Sequence, residues 1–241
     1  GRRLPADLAR KFADAGLFRM LLPASLDGHE TIPTDVAQAI ELIAQNDASA
    51  GWCLMIGATT ASMANRLEPE MAREVFGAPE VISAGVFAPM GKAVDEVDHW
   101  RVTGRWQWGS GAQNANWIAG GAMIMGPDGP RLDADGQPIH RMMIFRADEV
   151  ELIDTWRTSG LCGTGSLDFA VKDVRVPKDR SVALHSDRTR VETPLAKYPV
   201  FGMLALGVTA VALGNARGAL LTAGNMALQK KQQGSQRALA E

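Results

Sequence analysis

The sequence predicts an α+β fold in which helices flank a central β-region, and three observations carry that reading. The first 78 residues space their apolar side chains at helical intervals. From Pro79 the texture changes to short alternating or apolar runs, separated by Gly, Pro and Asp turns. From Phe201 the helical period returns, with Gly207, Ala210, Gly214 and Gly218 at close-packing positions. The chain therefore divides into a helical domain over 1–78, a β-domain over 79–185 (a small barrel or sandwich) and the first part of a second helical domain over 186–241.

Taken in order, Leu4, Leu8 and Phe12 form an i, i+4 stripe that Gly16 ends. Phe18 to Pro23 is an apolar connector, and Leu26 to Glu30 a turn. Thr34 is an N-cap type of residue for a helix from Asp35, with Val36, Ile40, Ile43 and Ala44 on one face. Ala48 to Leu67 is rich in Ala, Met and Gly and reads as a helix buried on most sides. Pro69 opens a further helix and Gly77 closes it. Strands are expected over 81–87, 100–108, 117–125, 141–145, 150–153 and 168–176, with a polar hairpin tip around residues 127–138. The apolar run Val200 to Leu213 is too short for a membrane span and reads as a buried helix. With no terminating signal at Glu241, we expect a longer helical domain than these residues supply.

Composition narrows the function classes. Hydrophobic content of 46% and charged content of 22% are ordinary globular values. A net charge of −2, with Lys230-Lys231 the densest basic pair near the end, argues against a nucleic-acid partner. Cys53 and Cys162 have no metal-ligand spacing, so no metal site is expected. The charged first ten residues lack the apolar core of a signal peptide, and we expect a cytoplasmic protein.

The most informative stretch runs from Gly104 to Trp117. Trp100, Val102, Gly104, Trp106 and Trp108 alternate with polar residues as in a two-faced strand, which then breaks at Gly109-Ser110-Gly111. An indole plane, a hydroxyl and backbone N–H groups thus converge, as a wall for a planar, polar-edged cofactor requires. A glycine-rich corner with core tryptophans would read the same way.

Set in the α–β–α order, these residues resemble the acyl-CoA dehydrogenase superfamily along nearly the whole chain. The family has N-terminal helices, a middle β-barrel and a C-terminal four-helix bundle. Phe87-Ala88-Pro89-Met90-Gly91 matches the first flavin loop, and Gly160 to Ser166 followed by Asp173 to Pro177 matches a later Gly-rich and "DVxVP" pair. The resemblance implies that Trp108 packs on the isoalloxazine ring and that Ser110 hydrogen-bonds near flavin N5. It gives cofactor contacts to Phe87, Ala88, Gly109 and Gly111, the glycines through backbone N–H groups, and to Lys230, which stands where the family grips the flavin pyrophosphate.

Departures shift the expected chemistry. The Thr-Glu-Pro-x-x-Gly-Ser-Asp loop of the dehydrogenases is replaced by Phe87 to Ala93, and their Arg-Lys-Thr-Phe-Gly element by Lys230 to Gly234. The Trp-Gln-Trp-Gly-Ser-Gly wording and the Ala50-Gly51-Trp52 helix are instead similar to flavin-dependent monooxygenases on the same fold. That branch takes reduced flavin (FMN or FAD) from a separate reductase and hydroxylates an aromatic or polycyclic small molecule with O2, through a flavin C4a-hydroperoxide. A homotetramer is implied. A true acyl-CoA dehydrogenase and a flavin-free binding relative are the alternatives. No catalytic base is assigned: His29, His99, His140 and His185 read as surface residues, and the Trp52 to Leu67 helix offers Thr59, Thr60, Ser62 and Asn65 but no histidine. Asp168 and Asp173 read as turn and edge charges, and Cys162 as a small packed residue.

Overall fold

In the computed structural model, which describes residues 1–231, helix α1 (Ala6–Asp14) turns Ala9, Phe12 and Ala13 into the core. It gives way at Gly16, whose φ of 71° lets the chain reverse. Helix α2 spans Pro33–Asn46, with Ile32 as its cap. The start lies two residues before the expected Asp35, because the ring of Pro33 already holds the φ of a first helical turn. Thr34 is left inside that turn, facing Asp35 at 3.4 Å. Helix α3 (Ala48–Ala61) is capped by Asp47, whose carboxylate accepts the N–H groups of Ser49 and Ala50 at 2.8 and 3.1 Å. Helix α4 (Pro69–Phe76) opens at Pro69 as expected. Buried Arg19 ties these helices together by donating to the carbonyls of Phe76 and Ala78, each at 3.1 Å, and to that of Leu26.

The strands are β1 (Ser83–Asp95), β2 (His99–Gly109), β3 (Trp117–Gly126), β4 (Gly129–Pro130), β5 (His140–Arg146), β6 (Glu151–Ile153), β7 (Leu167–Pro177) and β8 (Ser181–Val182). They form one sheet in the order β6-β7-β2-β1-β3-β5-β8, with β4 paired to β3. The β1–β3 pair is parallel and the other ladders are antiparallel. The sheet curls around Trp106. Flat strands about 4.8 Å apart would hold β2 and β5 about 14 Å apart, yet the Trp106 and Phe145 rings lie 5.7 Å apart. Trp106 also stacks on Phe169 at 4.9 Å and donates its indole N–H to Gly121 O at 2.7 Å. Gly91, Gly104 and Gly120 clear the space it fills: a Cβ on any of them would lie within 2.4, 2.7 and 2.6 Å of the indole.

Helix α5 (Val200–Gln229) packs a small-residue stripe on α2 and α3, with Gly207 against Met55, Gly214 against Glu41 O and Gly218 against Gln45 O. Only Met203, Gly207, Ala210, Val211 and Gly214 are buried, so the helix differs from the buried one expected. It runs 30 residues, and by length and composition it could cross a membrane. Its outer residues, among them Leu213, Leu220, Leu221 and Leu228, are exposed. Gly218→Ala tests the stripe. Helix propensity favours alanine by about 1 kcal/mol, but its Cβ would sit 2.2 Å from a backbone oxygen that cannot rotate away. The expected result is a net loss of about 1–3 kcal/mol in urea unfolding.

Candidate functional site

Strand β2 alternates as its sequence demands up to Trp106, and then slips. Trp106 pairs with Phe169 and Gly109 with Leu167, so Gln107 and Trp108 together face Asp168. This bulge overturns the expectation that Trp108 shares the inner face of Trp106. Trp108 takes a left-handed φ of 65° and stands 68% exposed, while Gly109 fills the inward place, where a Cβ would meet the Phe169 ring at 2.8 Å. A left-handed conformation costs a non-glycine residue roughly 1–2 kcal/mol, and bulges commonly re-aim a side chain beside a working site.

Asp168 holds the bulge from the opposite strand. It is 5% exposed and accepts from Arg105 Nε at 2.9 Å and from Thr155 Oγ1 at 2.9 Å. The expected reading as a turn charge misses this pairing. Asp173, in contrast, is exposed and faces Arg101 at 3.4 Å.

Directly after the bulge lies a buried chain of hydroxyls. Helix α3 brings Trp52, whose indole N–H donates to Ser110 Oγ at 2.9 Å. Ser110 and Ser166 hydroxyls lie 2.6 Å apart, as do those of Ser166 and Thr164. The 160–166 loop presents them through a short helical turn set between Leu161 and Gly165, both with positive φ (52° and 55°). The Gly111 N–H donates to Thr164 O at 2.9 Å, so the expected role of that amide as a free cofactor donor is corrected. Ser110 has its place here; the sequence marks the 160–166 run as a motif but not the pairing of Ser166 with Ser110, which lies 56 positions away.

Phe87 and Ala88 lie in strand rather than in a loop following one. Val86 pairs with Gly120 and Gly91 with Ala122, so residues 87–90 bulge out opposite Gly121 alone. A Cβ at Gly121 would collide with Phe87 O at 2.4 Å, and Ala88, Pro89 and Met90 are exposed on this bulge. Two bulges, in adjacent strands β1 and β2, therefore break the sheet at the residues singled out from sequence.

No family model matches the chain. By sequence it is 30% identical over 220 residues to an indole-3-acetate monooxygenase of Pseudomonas putida, covering 91% of this chain and 54% of that protein. It is 30% identical over 207 residues to HsaA, the oxygenase subunit of a flavin-dependent monooxygenase of Mycobacterium tuberculosis, covering 84% and 50%. Its structure superposes with a TM-score of 0.84 on XiaF of Streptomyces sp., solved with FADH2 and glycerol, at 26% identity over 98% of this chain and 60% of that one. The chain is thus similar in sequence to flavin-dependent monooxygenases, and its structure is consistent with the acyl-CoA dehydrogenase-like fold of its solved neighbours. It spans about half the length of the curated relatives it matches.

The other expected residues sort as follows. Lys230 caps the C-terminal end of α5 and is exposed, twelve residues or about 18 Å of helix beyond Gly218, where α5 still packs on α2. Residues 232–234 of that motif lie outside the described residues. His99 is not the surface residue expected: its side chain is 12% exposed and paired with Asp98 at 2.7 Å. His185 stacks on Phe201 at 5.1 Å, with His140 edge-on to it at 5.8 Å. None of these histidines contacts Ser110 or the 160–166 loop through a hydrogen bond or ring contact among the described residues.

Cys53, below Thr164 O at 3.7 Å, has its thiol pushed up to about 12 by burial. Cys162 is half-buried, with its thiol donating to Thr158 O at 2.9 Å. At pH 8 an aromatic disulfide reagent should therefore label Cys162 in the native protein and Cys53 only after unfolding. The same shift makes the fold lose stability as pH rises from the unfolded thiol value of 9.0 toward about 12, since the unfolded chain releases a proton that the native one keeps.

Proposed function

We propose that this chain is the flavin-binding portion of the oxygenase component of a two-component monooxygenase acting on an aromatic or polycyclic small molecule. One observation carries the reading: a tryptophan turned outward at energetic cost, next to a buried hydroxyl that keeps one lone pair unused. Strain of that kind persists where the surrounding structure enforces it, as Asp168 does here. The residues fit a flavin. Trp108 offers an apolar plane, Ser110 a polar partner for the ring edge, and the Phe87–Ala88 bulge and the Gly109–Gly111 turn backbone that comes close without side-chain bulk.

Reduced flavin, FMN or FAD, supplies the two electrons with which O2 is split between the hydroxylated product and water. The chain's own work is to bind the ring on Trp108, to orient it by Ser110 and to keep water from the reacting face. A separate reductase supplies the reduced flavin, a role supported by the "oxygenase subunit" naming of the mycobacterial relative. We assign 1–78, 79–185 and 186–241 to the helical, barrel and bundle domains of the family. The exposed apolar face of α5 then belongs to the bundle at the centre of a cytoplasmic homotetramer, where Lys230 reaches a flavin phosphate, with no membrane or nucleic-acid partner.

The test is anaerobic titration with reduced FMN and reduced FAD, followed by an oxygen pulse with a panel of phenols and indoles. Saturable binding and a hydroxylated product are expected. Bleaching of oxidised flavin by an acyl-CoA thioester, with no product from O2, would overturn the assignment in favour of a dehydrogenase.

A further inference from the structure

We propose that Ser166 and Thr164 are positioning residues that fix the direction of the Ser110 hydroxyl, so that the site selects reduced over oxidised flavin. The inference rests on the flavin reading above and concerns how the site tells the two redox forms apart.

The argument is a proton inventory. Leu161 O can only accept, and Thr164 Oγ1 gives it its one proton at 2.9 Å. The 2.6 Å contact between Thr164 and Ser166 must then use the proton of Ser166. The 2.6 Å contact between Ser166 and Ser110 must in turn use the proton of Ser110. At the other end, the Trp52 indole N–H can only donate, and it occupies one lone pair of Ser110 at 2.9 Å. Every hydroxyl in the chain therefore points one way, from Trp52 toward Leu161.

Burial locks this direction. Ser110, Thr164 and Ser166 are 4%, 2% and 4% exposed, so bulk water is not at hand to supply a substitute proton. Leu161 O also lies 3.2 Å from Trp156 Nε1 and 3.1 Å from Thr164 N, and of these three donors the Thr164 hydroxyl is the nearest. What Ser110 has left is one lone pair and no proton. A reduced flavin carries an N–H at N5 and pairs with such an acceptor. An oxidised flavin presents a bare lone pair there and meets repulsion instead. Chain polarity, set by groups that need not touch the cofactor, thereby becomes redox selectivity.

The experiment measures Kd for oxidised and reduced FMN and FAD, the latter anaerobically, with the full chain and three variants. Ser166→Ala frees the Ser110 proton, and Thr164→Val, close to isosteric, frees that of Ser166 to turn toward Ser110. Each should lower the ratio of oxidised to reduced Kd about tenfold, equivalent to about 30 mV in the two-electron potential of the bound flavin. Ser166→Thr keeps the hydroxyl and should keep the ratio. A ratio unchanged in both hydroxyl-deleting variants that still bind flavin overturns the proposal, as does a Ser166→Thr ratio as low as that of Ser166→Ala. A parent chain that binds neither redox form overturns the flavin reading itself, which is a separate outcome.

Discussion

Trp106→Ala should cost the fold about 3–5 kcal/mol, the largest stability loss expected from a single substitution here, measured as a drop in urea midpoint. The indole is fully buried and is the piece around which the sheet curls, between Phe145 on β5 and Phe169 on β7. Its removal leaves an aromatic-sized void and takes from Gly121 O its indole donor at 2.7 Å. The site cannot readily collapse, because Gly91, Gly104 and Gly120 have no side chains to move into the space. A phenylalanine at 106 should recover part of the loss by filling volume, but not the share due to the missing N–H donor. A loss below about 1 kcal/mol for the alanine variant would mean that the sheet does not depend on this side chain for its curvature.

The contrast between Trp106 and Trp108 shows what the sequence could disclose. Period-2 alternation placed Trp100, Val102 and Trp106 inward, and all three are buried. The same rule put Trp108 on the face of Trp106, but the bulge opposite Asp168 turns it away. Asp168, anchored by Arg105 and Thr155, occupies one position against two, and no local pattern in residues 104–109 encodes that. Local signals served where the cause was local, as for Pro69 opening α4 or Gly16 ending the stretch of α1. The α2 boundary was missed because the ring of Pro33 outweighs the capping tendency of Thr34.

For the candidate site, Gly-Ser-Gly after a tryptophan raised the expectation that a cofactor approaches the chain there, and the resemblance gave that expectation a class. Trp52 could be singled out on α3, but its bond to Ser110 spans 58 positions, and that from Ser110 to Ser166 spans 56. Pairings of that separation are visible only once the sheet and helix have been assembled.

Trp108→Gly should separate stability from function, because the two move in opposite directions. Glycine adopts a φ of 65° without the penalty of roughly 1–2 kcal/mol that a side chain pays. Against this, glycine loses more chain entropy on folding, by roughly 0.5–1 kcal/mol. The indole, 68% exposed, contributes little burial to lose. The expected result is a stability unchanged or raised by up to about 1 kcal/mol. Flavin affinity should fall over the same substitution, since the apolar plane is gone. A stacked aromatic contact is worth about 1–3 kcal/mol, or about 5- to 150-fold in Kd. Trp108→Ala supplies the decisive comparison: it should lose the same affinity without the relief of strain, so its stability should fall below that of the glycine variant. Equal stabilities for the two would remove strain as the reason this tryptophan stands where it does, and undiminished affinity in both would remove it from the flavin site.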